Sequence, residues 1–294
     1  MTAKSRELLM IWDSTMANPN GDMTNENRPR ADTQTGQLEV SDVRIKRFIR
    51  DEWISSGLDV FVQTLMNEKG TPMTGKQRLE SVVEQMPADQ NAQPYILGRF
   101  IDARLFGIVA AVKKVSFNIT GPLQIMWSKS INTADSQVKF VQGNAAYASN
   151  DTAGQTTIWS KYIAPYALFK TYCVFNSQAA VKQNINISET DIDNFIKAFI
   201  NGLINYRSTS KNQMPRLLIE VIYKEHKLSG ELDVADIKYD CDDDQLRAIS
   251  QTHIDLSKLC QFVAEQPAVD KVRLYVHKSV KLENVSPQFE IFSI

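Results

Sequence analysis

Histidine is scarce in this chain, with three residues among 294. His226, His253 and His277 have no ligand spacing, and neither H-x-x-x-H nor a phosphate-cradling glycine loop occurs. No Ser/His/Asp arrangement is supported by spacing. Cysteine is equally sparse. Cys173, Cys241 and Cys260 are odd in number, far apart and without a C-x-x-C, which fits reduced thiols in the cytoplasm rather than a zinc site. Asp240, Asp242 and Asp244 begin like a calcium loop, but Gln245 stands where glycine is required and Gln251 where the closing glutamate is required. Acidic residues opening a helix explain that run through the helix dipole. No apolar run approaches a membrane span, and MTAKSRELLMIWDS lacks the apolar region of a signal peptide. These absences leave no catalytic, metal or cofactor motif to build on, and no membrane span.

Net charge is missing too. Lys and Arg number 33 against 34 Asp and Glu, a formal charge of −1, whereas nucleic-acid proteins tend to be basic. The distribution is uneven: 25 basic against 21 acidic residues precede residue 225, and 8 against 13 follow. Phosphate binding depends on local clustering, which an acidic remainder does not prevent. The hydrophobic content of 43% suffices for a core, and the length suits one large domain.

What the chain does have is concentrated between Asn18 and Arg50, in NPNGDMTNENRPRADTQTGQLEVSDVRIKRFIR. Pro19, Gly21, Pro29 and Gly36 break any regular element there. A helix follows, with Ser41 as its expected N-cap, Asp42 in its first turn and Ile45, Phe48, Ile49 and Trp53 on one side. Arg44, Lys46, Arg47 and Arg50 occupy most of the other side, and Arg28 and Arg30 lie in the loop before it. A charged helix face is often merely solvated. Here, however, the charges on that face are nearly all of one sign, with Asp51 and Glu52 coming only at the end, and like charges one turn apart repel, as for Lys46 and Arg50. The expected partner is a polyanion.

The order NPNGD, N-x-N-R-P-R-x-D, T-G and VSDVRIKRFIRD resembles the Cas-seven family, the CRISPR RNA-binding backbone of the Cascade surveillance complex, and the type I-B version of it. IDARLFG, GPLQ and SKNQMPRLLIEVIY fall in the same order, so the resemblance spans roughly residues 8 to 224. It implies a non-catalytic subunit whose copies line up as a filament on one guide RNA beside other Cascade subunits. The guide would then pair with a target DNA strand, leaving sequence choice to the RNA.

Along the chain, Leu8 to Trp12 reads as a central strand, and residues 55–100 as an edge insertion with a short helix ending near Pro87. The resemblance makes that insertion finger-like. In IDARLFG, Asp102 and Arg104 suit a local salt bridge, while the resemblance places Arg104 near RNA. Val115 to Ile119 and Leu123 to Trp127 read as strands about a bend at Gly121-Pro122. Residues 128–160 are polar and weakly periodic, and connectors of that length are functional or disordered. The resemblance makes them a thumb, with Phe140 and Val141 as a base-displacing wedge.

Tyr162 to Asn176 is the strongest strand signal. Ser188 caps a helix with Asp191 three residues later, Ile187 and Ile192 as a staple, and a stripe of Ile192, Phe195, Ile196, Phe199, Ile200, Leu203 and Tyr206. The loop NYRSTSKNQMPR then mixes cations with small hydrogen-bonding groups, which suits either a polar turn or phosphate and ribose contacts.

The expected fold is α+β, a single domain over residues 1–294 with a βαββαβ core of RRM or ferredoxin-like plan. Residues 225–294 are its annex, with a helix around Leu256 to Val263 and strands near Val272 to Val276 and Phe289 to Phe292. RNP aromatics are absent, so the loops and first helix are better RNA-binding candidates than the sheet. The candidate guide contacts are Asn18, Asn20, Asn27, Arg28, Arg30, Lys46, Arg47, Arg50, Arg104, Ser210, Lys211, Asn212 and Gln213. Two rivals remain: a single-site RNA-binding module, and a metal-dependent RNA-cleaving subunit of type III kind using Asp22 or Asp32.

Overall fold

The computed structural model describes residues 2–112, 115–145 and 157–294. Its centre is the strand Arg6–Ala17, whose residues 6 to 14 are all buried. Leu8, Met10 and Trp12 enter one hydrophobic cluster while Leu9 and Ile11 enter another. Alternating side chains thus feed cores on both faces, which is why the run reads as continuously apolar.

This strand is antiparallel to Thr157–Phe175 on one side and to Gln213–Tyr223 on the other. Leu123–Ile125 and Ser128–Ser130 pair along the outer edge of Thr157–Phe175, and Ser128–Ser130 carries Glu39–Val40. Beyond Gln213–Tyr223 lie Val269–Val276, antiparallel, and Glu290–Phe292, parallel.

Seven α-helices occur among the described residues: α1 (Asp42–Ser55), α2 (Gly75–Glu84), α3 (Ala92–Arg99), α4 (Ile101–Phe106), α5 (Ser177–Lys182), α6 (Glu189–Asn205) and α7 (Ser257–Glu265). The long pair, α1 and α6, covers one face of the sheet. Ile45, Phe48, Ile49 and Trp53 meet Phe195, Phe199 and Leu203 there. Their close approach depends on Gly202, where an added Cβ would meet Phe48 Cδ2 at 2.7 Å. The α6 start follows its expected chemistry. Asp191 N–H donates to Ser188 Oγ at 3.1 Å, Ser188 N–H donates to Asp191 Oδ2 at 2.9 Å, and the stripe from Ile192 to Leu203 is buried.

The C-terminal annex covers the other face. Leu232, Val234, Leu246, Ile254, Leu256 and Leu259 pack on Leu9, Ile11, Leu217 and Ile219. With both faces occupied, the sheet surface that an open RRM would offer to RNA is internal.

Two polar regions prove more integrated than their composition suggests. Val60, Phe61, Leu79, Val82, Ile96, Leu97 and Phe100, all within residues 55–100, join the α1/α6 core. At the start of 128–160, Ser128, Ser130, Asn132 and Ala134 are buried. Hydrogen bonds hold them: Ser128 with Thr171 at 2.6 Å, Leu38 N–H to Ser130 at 2.9 Å, and Asn132 Nδ2 to Tyr166 O at 3.2 Å. From Lys139 the chain leaves the sheet as one arm of a hairpin, Lys139–Ala145 against residues 157–163. Residues 146–156, part of the expected thumb, lie outside the described residues.

Candidate nucleic-acid interface

The Asn18–Ser41 loop folds on its own polar groups before it meets α1. Asn18 Nδ2 donates to Asn27 O at 2.7 Å, and Arg30 N–H donates to Asn20 O at 2.8 Å. Gly21 is required here, because a Cβ would sit 1.9 Å from Asn27 Oδ1. Asn20 Oδ1 accepts both the backbone N–H of Ser41, at 2.9 Å, and its hydroxyl, at 3.0 Å. This corrects the expectation that Ser41 caps α1 with its side chain, since its hydroxyl is turned back to the loop.

The cations are also arranged differently from a bare charged face. Arg28 pairs with Asp135 at 3.0 Å and Arg30 with Asp22 at 3.4 Å. On α1, Lys46 pairs with Asp42 at 2.8 Å, Arg47 with Asp51 at 2.9 Å and Arg50 with Asp102 at 2.9 Å. The premise of uncompensated repulsion is therefore corrected. Lys46 and Arg50 are only 14% exposed and lean over the Phe106 ring, whereas Arg47 is 58% exposed.

Arg44 stands apart. Among the described residues it forms no ion pair, its Nε is buried without a hydrogen-bond partner, and its guanidinium lies over the Phe48 ring at 5.5 Å. Burial pulls it below the usual arginine range.

Beside Arg44 is the loop that follows α6. Ser210 O accepts from Asn18 N–H at 2.9 Å, Lys211 Nζ donates to Asn18 O, and Asn212 Nδ2 donates to Thr15 O at 2.9 Å. Ser14 faces Gln213 across the strand pair. Burial, and then the nearby Arg44 charge, brings Lys211 down to about 8. Three further buried atoms at this junction have no partner: Ser14 Oγ, Asn18 Oδ1 and Gln213 Nε2. Two partly desolvated cations thus lie beside three orphaned polar atoms, an arrangement whose chemistry can accept an oxyanion with hydroxyl neighbours.

The structure thus gathers Asn18, Asn20, Ser210, Lys211, Asn212 and Gln213 at the mouth of α1. Arg28 joins them indirectly. Its guanidinium lies 5.7 Å from the Tyr162 ring centroid, and the Tyr162 ring meets that of the exposed Phe140 at a tilt, 5.0 Å between centroids. Val141 is the next residue of that hairpin arm and is partly exposed. Arg104 is not brought to this junction. It pairs with Asp191 at 2.6 Å, not with Asp102, and lines a cavity of about 590 Å³ with Gln93, Leu97 and Asn186. Asp191 is in the first turn of α6, and the 207–213 loop follows the other end, about 25 Å along the helix.

Asp22 and Asp32 are occupied within the loop. Asp22 accepts from Thr24 N–H and Oγ1 at 3.1 and 2.8 Å, and Asp32 from Gln34 N–H at 3.0 Å. Those hydrogen bonds hold both carboxyls below the usual carboxylate range. Among the described residues no three His, Cys, Asp or Glu side chains come together as metal ligands, and no helix is long and apolar enough to cross a membrane.

Comparison with known proteins gives a consistent result. The family model described as CRISPR-associated protein Cas7 matches residues 4–257. A Haloferax volcanii protein described as CRISPR-associated protein Cas7 is 24% identical, with 89% of this chain and 83% of that one covered. A solved chain from a pre-nicking CRISPR RNA-guided surveillance complex superposes with a TM-score of 0.58 at 13% identity, covering 99% of this chain and 96% of that one. Another, from a CRISPR RNA-guided surveillance complex, gives 0.54 at 15% identity, covering 99% and 95%.

Proposed function

The chain belongs to the CRISPR-associated protein Cas7 family, and from that premise we propose that it is a non-catalytic backbone subunit of a type I-B-like Cascade. Copies line up along one guide RNA and present its spacer for pairing with a target DNA strand. The observation that carries this reading is the junction of Arg44 and Lys211 with the orphaned Ser14, Asn18 and Gln213. The guide phosphates sit there, and the exposed Arg47, the loop cations and the polar side chains of Asn20, Asn27, Ser210 and Asn212 track the strand on either side. Arg104, Lys46 and Arg50 support the scaffold through their carboxylate partners and meet RNA only where it passes beyond the junction.

In this reading the sheet and the pair α1 and α6 form an RRM-like core closed on its back by the annex. Residues 55–100 are the finger, and the hairpin from Lys139 is the thumb, with Phe140 and Val141 placed to displace a base. About four phosphates per subunit give a salt slope near −3 on single-stranded RNA. That is modest for one copy, and many copies on one strand multiply it.

Co-expression with a CRISPR array followed by electron microscopy tests the proposal. A filament whose length follows the RNA supports it, whereas unit stoichiometry supports the single-site module. RNA fragments appearing when the assembly meets complementary RNA and magnesium would instead favour the type III-like nuclease. Shortening the hairpin within 142–158 is expected to leave the fold intact while removing the regular spacing of protected RNA.

A further inference from the structure

The central strand ends in a defect. Thr15 N–H donates to Asn212 O and Asn18 N–H to Ser210 O, both at 2.9 Å, so Met16 and Ala17 together oppose the single residue Lys211. In one common form of such a bulge the first residue adopts the left-handed conformation that glycine fills without cost. Here that residue is Met16, with φ of 48°. Its Cβ works against the conformation, and its side chain gives no packing in return: Met16 is 52% exposed and joins neither hydrophobic cluster. An exposed apolar side chain kept in a strained position opposite a half-buried cation points to a contact outside the fold.

We propose that Met16 is the base platform of the guide-RNA site, its thioether lying against a nucleobase while the adjoining phosphate is held at Arg44 and Lys211. The inference rests on the RNA-binding reading and adds to it a ligand part, the base, and a residue that receives it. Methionine suits a guide of arbitrary sequence. Its unbranched, polarizable side chain adjusts to any ring, and every base offers an aromatic face. The bulge brings the two residues side by side, since Lys211, whose own backbone N–H and C=O bond to Ser208, is the residue left opposite Met16 and Ala17.

The test compares wild-type protein with Met16→Gly and Met16→Leu on a single-stranded RNA carrying 2-aminopurine, titrated at several salt concentrations. Glycine removes the side chain and relieves the backbone, so the thermal midpoint of Met16→Gly should be unchanged or higher. Its RNA affinity should fall about two- to tenfold, the range of a methionine–aromatic contact. The salt slope should stay that of the wild type, because no phosphate contact is lost, and Met16→Leu should recover part of the affinity. Wild-type affinity in Met16→Gly, a flattened slope or a lowered midpoint would each overturn the platform while leaving the phosphate site standing. Wild-type protein that fails to bind the RNA would overturn both readings.

Discussion

Asn20 Oδ1 holds Ser41 by two hydrogen bonds, one to the backbone N–H and one to the hydroxyl, and so locks the loop to the mouth of α1. Ser41 is buried, so replacing Asn20 by alanine strands both donors. Asn20→Ala should therefore cost about 1–3 kcal/mol, read as a lower urea midpoint at unchanged m. Asn20→Asp keeps the acceptor and places a negative charge at a helix N-terminus, where it is tolerated. It should hold its stability yet bind RNA less tightly. An Asp variant as unstable as the Ala variant would mean that the loop is held by something else.

The contrast between Asn20 and α6 shows which features are visible in a sequence. The α6 capping box and stripe are local, their residues a few positions from one another, and the structure reproduces the box and buries the stripe from Ile192 to Leu203. Arg6–Ala17 is legible because both of its faces are covered. Contacts between distant residues leave no such trace. Asn20 and Ser41 are 21 positions apart, and Arg50 finds Asp102 52 positions away. Ser128, Ser130 and Asn132 are buried through hydrogen bonds rather than apolarity, so a hydropathy pattern passes over them. One signal for the site was present. Asp42 and Asp51 stand one turn from Lys46 and Arg47, whereas Arg44 has only Val40 and Phe48 at those positions. Spacing thus leaves Arg44 and Arg50 as the α1 cations without a local acid, and the structure then gives Arg50 to Asp102.

The ion pairs on α1 predict opposite behaviour for two neighbouring arginines. Asp102 is 1% exposed, and without Arg50 it keeps only the backbone N–H groups of Phe61 and Val62. Arg50→Ala should cost about 3–5 kcal/mol, the usual consequence of leaving a buried charge unpaired. Arg47→Ala breaks an exposed pair and should change stability by less than about 0.5 kcal/mol. If Arg47 meets a guide phosphate, that variant should flatten the salt slope of RNA binding by about 0.7. Denaturant melts and salt titrations on the two proteins separate the scaffold role from the binding role.

Gly202 sets the distance between α1 and α6. A methyl group there presses on Phe48, whose ring and backbone both lie within 3.3 Å of the new Cβ. The gain in helix propensity from Gly to Ala is at most about 1 kcal/mol. Overpacking of a filled core costs about 1–3 kcal/mol. Gly202→Ala should therefore lower the thermal midpoint, and because α1 carries Arg44, it should also weaken RNA binding. A raised midpoint would show that the helices separate freely at this contact.

Lys211 makes the most specific prediction, because its two effects run in opposite directions. Its folded value of about 8 lies below the ordinary 10.5, held there by burial and by Arg44. Between those two values the unfolded chain binds more protons than the folded one, so the stability of RNA-free protein gains as pH rises through the window. RNA binding should move the other way. The phosphate is attracted to the charged ammonium, so affinity should fall above pH 8, by at most about tenfold per pH unit, with a proton taken up on binding. Lys211→Met removes both dependences together. Absolute stability at neutral pH is the poorer readout, since the variant also leaves the Asn18 carbonyl without its donor. The decisive comparison is the pair of slopes from pH 8 to 10, one from denaturant melts and one from RNA titrations at fixed salt. Opposite slopes in wild type and flat ones in Lys211→Met place the lysine at the phosphate, whereas parallel RNA titrations in the two proteins would remove it from the site.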